Sequence, residues 1–248
     1  MKKIFILSLF VFMHLNAATI TIGVAANVSY AMDSLIKEFN KSHPDIKVRA
    51  ILGGSGKLRV QIKHGAPYQL FMSANMEYPN SLYKEGLTAT KPVVYAQGSL
   101  ACFSGKKQNF SNCIEVLKNE KIEKIAVANP KTAPYGKATF EALKNANVYD
   151  EVKGKFIYSE SIAQTVSYAV TAADLGFIAK SSLYSPKMSM YKEGENWMEV
   201  DSKLYSPISQ GIVILKSAEK NAEVLSFYNF ILSKKAGKIL EEFGYLIP

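Results

Sequence analysis

Histidine is scarce in this 248-residue chain, three in all, and the two beyond the first twenty residues, His43 and His64, stand alone. No Gly-x-Ser-x-Gly elbow, His-Glu-x-x-His helix or cysteine–histidine cluster occurs, so hydrolytic and zinc-dependent catalysis lack their residues. Acidic pairs such as Glu241-Glu242 fall on a terminal helical stretch and read as surface charge, so the chain reads as not being an enzyme. Lysines and arginines are scattered, without blocks interleaved with aromatics, which argues against nucleic acid as a partner. No internal repeat, low-complexity tract or long Pro/Gly linker separates two independent domains. No second long apolar run follows the one at the N-terminus, so a membrane anchor is the weaker reading.

What is present begins with an export signal. Met1-Lys2-Lys3, the apolar stretch from Ile4 to Met13 and the small pair Ala17-Ala18 follow the order of a cleavable leader over 1–17, cut after Ala17 or Ala18. No cysteine stands at the cut, so a lipid anchor lacks its attachment residue. Losing Lys2 and Lys3 lowers the formal charge of +9 to +7, a balance that reads mainly as a solvated surface. Cys102 and Cys113 reach an oxidising compartment; a disulfide between them and two buried free thiols both remain open.

Strand-like runs at 20–26, 46–52, 70–74, 125–128, 156–158, 175–179 and 211–215 alternate with amphipathic helical stretches, which predicts an α/β fold with mainly parallel sheets. The helical pattern is strongest at 31–40, with a stripe of Met32, Leu35, Ile36 and Phe39. It recurs at 222–232, with Val224, Leu225, Phe227, Tyr228 and Ile231. The segments 95–103 and 203–215 are candidate places for the chain to pass between two interwoven lobes. The expected division is 18–97 and 209–248 in lobe 1, with 98–208 in lobe 2.

Four short stretches sit where a strand-like run yields to a helical one: Ala25 to Ser29, Gly53 to Lys57, Ala133 to Lys137 and Ser159 to Ile162. Helix starts carry free N–H groups and the positive end of the peptide dipoles, so several converging would hold an anion. Each also has a plainer reading. Asn27 and Ser29 suit N-caps, Pro134-Tyr135-Gly136 suits a turn, and Lys57 and Lys137 suit solvent. The Gly53 to Lys57 stretch fails the nucleotide phosphate-loop pattern.

The runs AANVSYAM (25–32), GGSGKL (53–58), GAPYQLFMSAN (65–75), NPKTAPYGKA (129–138), LGFIA (175–179) and EEFGY (241–245) together resemble the periplasmic molybdate-binding proteins of ABC importers. The resemblance implies the two-lobed type II periplasmic-binding-protein fold, each lobe a mainly parallel sheet flanked by helices, with the ligand in the interlobe cleft. It implies capture of molybdate or tungstate without a cofactor, delivery to a membrane permease, a periplasmic location and a monomer. Carried over by position, it puts Asn27 and Ser55 at the anion as side-chain donors. Tyr135 and Ile162 would act through backbone N–H groups. Ala179 stands where several relatives carry a tyrosine whose hydroxyl touches the anion. That departure keeps another tetrahedral oxyanion, sulfate or thiosulfate, as the alternative. An exported hydrolase or adhesin on the same fold is the second.

Overall fold

The computed structural model describes residues 18–248, so the leader assigned to 1–17 lies outside the described residues. The strands are β1 (Ala18–Ala25), β2 (Ile46–Gly53), β3 (Leu70–Ser73), β4 (Val93–Gly98), β5 (Leu100–Phe103), β6 (Ile125–Ala128), β7 (Phe156–Ser159), β8 (Leu175–Ala179), β9 (Trp197–Glu199) and β10 (Ile208–Ile214). They form two five-stranded sheets, ordered β2-β1-β3-β10-β4 and β7-β6-β8-β5-β9. The helices are α1 (Ser29–Asn40), α2 (Ser55–Lys63), α3 (Glu77–Lys84), α4 (Pro134–Asn145), α5 (Tyr149–Val152), α6 (Ile162–Thr171), α7 (Ala222–Ile231) and α8 (Lys234–Glu242).

In each sheet three strands run parallel, with β1 between β2 and β3 and with β6 between β7 and β8. The expectation of mainly parallel sheets holds on that side. On the other side β10 and β5 run antiparallel to both neighbours. Connectivity is the cause: each is the strand on which the chain arrives from the other sheet, so it is not the product of the helical crossover that enforces parallel order. Ser99 alone separates β4 of the first sheet from β5 of the second.

Strands β3, β5, β6 and β8 are buried at every position, as strands covered on both faces must be. Helix α1 buries Met32, Leu35 and Phe39, and the Phe39 ring meets Phe227 of α7 edge to face at 5.0 Å. Leu225, counted in the α7 stripe, is instead 47% exposed. One residue past Val224 turns it about 100° off the buried face. Cys102 of β5 and Cys113 are joined by a disulfide with their Cα atoms 5.7 Å apart, and both are buried.

Candidate functional site

The ends of parallel strands from the two sheets and the segments beyond them meet around one small cavity. Its wall is Ala25 at the end of β1 with Ala26 and Asn27 beyond it, Gly53 at the end of β2 with Gly54 and Ser55 beyond it, and Ala74 after β3. From the other sheet come Ala133, Pro134 and Tyr135 after β6 and Ile162 after β7. This is the position where open α/β sheets place ligands, outside the carboxyl ends of the strands. All four residues singled out from the sequence, Asn27, Ser55, Tyr135 and Ile162, line it, and no charged side chain does.

The local chemistry favours a partner that only accepts hydrogen bonds. Ser55, Tyr135 and Ile162 lie in the first turns of α2, α4 and α6, where backbone N–H groups have no intrahelical acceptor. Helices α2 and α4 carry no side-chain cap, their caps being Gly54 and Ala133. In α6 the Ser161 cap serves Gln164 and not Ile162. Ser55 Oγ accepts from the Ala74 N–H at 3.0 Å, which fixes the oxygen and leaves its hydrogen to donate. Three helix starts thus aim partial positive charge at one point between the sheets.

Asn27 is fully buried, and its amide is engaged away from the cavity. Nδ2 donates to Gln210 Oε1 at 2.8 Å and to Tyr245 Oη at 2.9 Å, leaving Oδ1 without a partner. The capping alternative does not describe it. Helix α1 begins at Ser29 with no side-chain cap, and Ser29 Oγ donates back to the Ala26 carbonyl at 2.7 Å. Ala179 is buried at the end of β8 and is not in the cavity wall.

The two halves are drawn together at the rim. The Gly56 N–H donates to the Thr132 carbonyl at 3.0 Å, and a Cβ on Gly54 would stand 2.8 Å from the Glu160 carbonyl oxygen. Lys57 pairs with Glu160 at 3.4 Å and Lys137 with Glu77 at 3.2 Å, all four side chains exposed, which is where those lysines were expected. Such exposed pairs contribute little. Deeper, Ser181 Oγ donates to the Asn27 carbonyl at 3.0 Å and Gln210 Nε2 to Tyr135 Oη at 3.3 Å, both across the two halves. The cavity is small, about 10 Å³.

Sequence reasoning did not find Gln210, Tyr245, Tyr95 or Ser181. A signal was available for the first, since Gln210 is a long polar side chain within the mostly apolar strand ISQGIVI and is fully buried. Burial pushes the hydroxyl pKa values of Tyr95, Tyr135 and Tyr245 well up, so all three stay protonated. A larger groove of about 660 Å³ opens beside the cavity, but its charged groups are already occupied. Glu77 is paired with Lys137, Glu141 accepts from Ser206, and Lys144 lies over the Tyr149 ring. Among the described residues no three His, Cys, Asp or Glu side chains come together to hold a cation.

Residues 20–246 match the family described as bacterial extracellular solute-binding protein. The chain is 34% identical over 232 residues to the molybdate-binding protein ModA of Azotobacter vinelandii, covering 93% of this chain and 90% of that one. It is 33% identical over 196 residues to ModA of Rhodobacter capsulatus, covering 78% and 75%. The solved structure of the Azotobacter vinelandii periplasmic molybdate-binding protein superposes with a TM-score of 0.85 at 29% identity, over 92% of this chain and 99% of that one.

Proposed function

The chain belongs to the bacterial extracellular solute-binding proteins, and from that membership we propose that it captures molybdate in the cavity between its two sheets for delivery to an ABC importer. The observation that carries the reading is the wall itself: uncapped helix starts, a serine hydroxyl with its hydrogen free, and no ionised side chain. Molybdate and tungstate are proton-free dianions at neutral pH and only accept hydrogen bonds. A wall of donors without a carboxylate suits them and disfavours protonated phosphate. Hydrogen bonds to a charged partner contribute about 1.5–3 kcal/mol each, so a few suffice without lysine or arginine at the anion.

In this reading Ser55 donates through Oγ and Asn27 through its side-chain amide. Tyr135 and Ile162 donate through backbone N–H groups. Residues 18–97 with 209–248 form one lobe and 98–208 the other, a division the two sheets support except at Gly98 and Ile208, which pair within the first sheet. The lobes close over the anion by seating Gly54 against Glu160 and the Gly56 N–H on Thr132. The protein works as an exported, periplasmic monomer that presents its cargo to a membrane permease and performs no chemistry on it.

Calorimetric titration with molybdate, tungstate, sulfate and phosphate tests the assignment. Molybdate and tungstate bind with similar affinity, since they match in charge and nearly in size, and sulfate binds far more weakly. Sulfate or thiosulfate is the second reading, because Ala179 brings no hydroxyl donor to the anion. Equal or tighter binding of sulfate puts that reading first.

A further inference from the structure

Behind the cavity lies a buried set of five polar side chains, Asn27, Gln210, Tyr95, Tyr135 and Tyr245. The Asn27 amide nitrogen donates both hydrogens into this set, to Gln210 Oε1 and Tyr245 Oη. Gln210 Oε1 also accepts from Tyr95 Oη at 3.0 Å, while Gln210 Nε2 donates to Tyr135 Oη at 3.3 Å. Tyr245 Oη passes its own hydrogen to the Asn27 carbonyl at 2.9 Å, which Ser181 also serves. Gly98 leaves the space that the Tyr135 hydroxyl and the Gln210 amide occupy. The group without a partner is Asn27 Oδ1, an acceptor, on a residue that lines the cavity. An acceptor there is the wrong sign for an anion that offers only acceptors.

A second arrangement of the same atoms has the opposite sign. With the Asn27 amide reversed, Nδ2 stands where Oδ1 was, its two hydrogens free for the anion, and Oδ1 turns to Gln210 and Tyr245. With Gln210 reversed as well, Nε2 donates to Asn27 Oδ1 and Tyr95 Oη, and Oε1 accepts from Tyr135 Oη. Tyr245 moves its hydrogen from the Asn27 carbonyl to Oδ1, and Ser181 keeps the carbonyl satisfied. The first arrangement leaves the Tyr135 hydrogen without an acceptor among the described residues. The second leaves that of Tyr95 in the same position and makes five protein–protein bonds where the first makes six, so the first is favoured without an anion and the two freed Asn27 Nδ2 hydrogens favour the second once an anion accepts them. A glutamine is suited to this place because it can present a donor or an acceptor to Asn27; a carboxylate presents only acceptors when ionised and a hydrocarbon presents neither.

We propose that Gln210 and Tyr245 are positioning residues that set which end of the Asn27 amide faces the cavity, and that anion binding reverses the Asn27 and Gln210 amides together. This rests on the reading of the cavity as a molybdate site. Because Gln210 also reaches across to Tyr135, the reversal ties the donor presented in one half to a contact made with the other.

The test is nuclear Overhauser spectroscopy of the isotope-labelled protein, with the two side-chain amides assigned by their loss in Asn27→Ala and Gln210→Met. In the molybdate complex the Gln210 NH₂ protons contact the Tyr95 ring, and both amide nitrogens move on titration. A Gln210 amide that still contacts Tyr135 in the complex overturns the proposal. A double-mutant cycle supplies an energetic arm. At pH 8, Gln210→Glu weakens molybdate binding at least about tenfold in the parent and far less in the Asn27→Ala background, because the loss acts through Asn27. An equal loss in both backgrounds means through-space repulsion by the new carboxylate and overturns the proposal. A parent protein that binds no molybdate overturns the site reading itself, whereas binding with an unreversed Gln210 overturns only the reversal.

Discussion

Gly54→Ala separates closure from folding because the backbone there accepts alanine and the opposing half does not. Gly54 has φ −63° and ψ 135°, a conformation open to any L-residue. Replacing glycine by alanine at such a position stabilises the fold by about 0.4–1 kcal/mol through the unfolded chain. In the closed arrangement, however, the new Cβ stands 2.8 Å from the Glu160 carbonyl oxygen, closer than van der Waals contact allows. That oxygen belongs to backbone at the entrance to α6 and cannot swing aside as a flexible side chain would. Overpacking of this kind costs about 1–3 kcal/mol, which is roughly a fivefold to 150-fold loss of affinity when only the bound, closed state suffers it. Calorimetry gives the affinity and thermal denaturation without ligand gives the stability. The expected pair is a melting temperature equal to or above the parent's together with weakened molybdate binding. Parental affinity in Gly54→Ala refutes closure of Gly54 onto Glu160 as the binding step.

Ser55→Ala removes the hydroxyl donor and leaves the Ala74 N–H without its acceptor, so molybdate affinity falls roughly tenfold to a hundredfold by titration. Asn27→Ala loses a similar amount. Ile162→Pro deletes a backbone donor and weakens binding strongly, with tolerance of proline at the first helical position keeping the loss of helix stability small. Cys102→Ser with Cys113→Ser opens a loop with a sequence separation of 11 and lowers unfolding free energy by about 3 kcal/mol in denaturant titrations, while ligand affinity stays near parental. Molybdate at about 1,000 times its dissociation constant raises unfolding free energy by roughly 4 kcal/mol, read as a shift in melting temperature that sulfate does not reproduce.

The alternation of strand-like and helical runs made the α/β class legible, because seven apolar runs became strands with boundaries within about three residues of those observed. Strands β4 and β5 were not separable in the sequence. Val93 to Phe103 reads as one continuous stretch, and only the tertiary arrangement makes Ser99 the step between two sheets. Strand β9 has three half-buried residues, too few for a period to show. The cavity wall was legible because helix starts announce themselves locally, by Gly53-Gly54-Ser55 and by Ala133-Pro134 after an apolar run. The network behind it was not. Asn27 meets Gln210 and Tyr245 across 183 and 218 residues, and nothing near Asn27 in sequence marks such partners. For the same reason the expectation that Tyr135 acts through its backbone alone assigned no part to its hydroxyl, which Gln210 reaches from the other half.

In the proposed reading one cavity, walled by helix starts from both sheets, holds the anion. Anomalous diffraction at the molybdenum absorption edge, from crystals grown with molybdate, tests it most directly. The expected result is a single strong peak within hydrogen-bonding reach, through the anion's oxygens, of Ser55 Oγ and the backbone N–H groups of Tyr135 and Ile162. A peak in the larger groove beside Phe140 and Lys144, or none at the cavity in a protein that binds molybdate in solution, would contradict it.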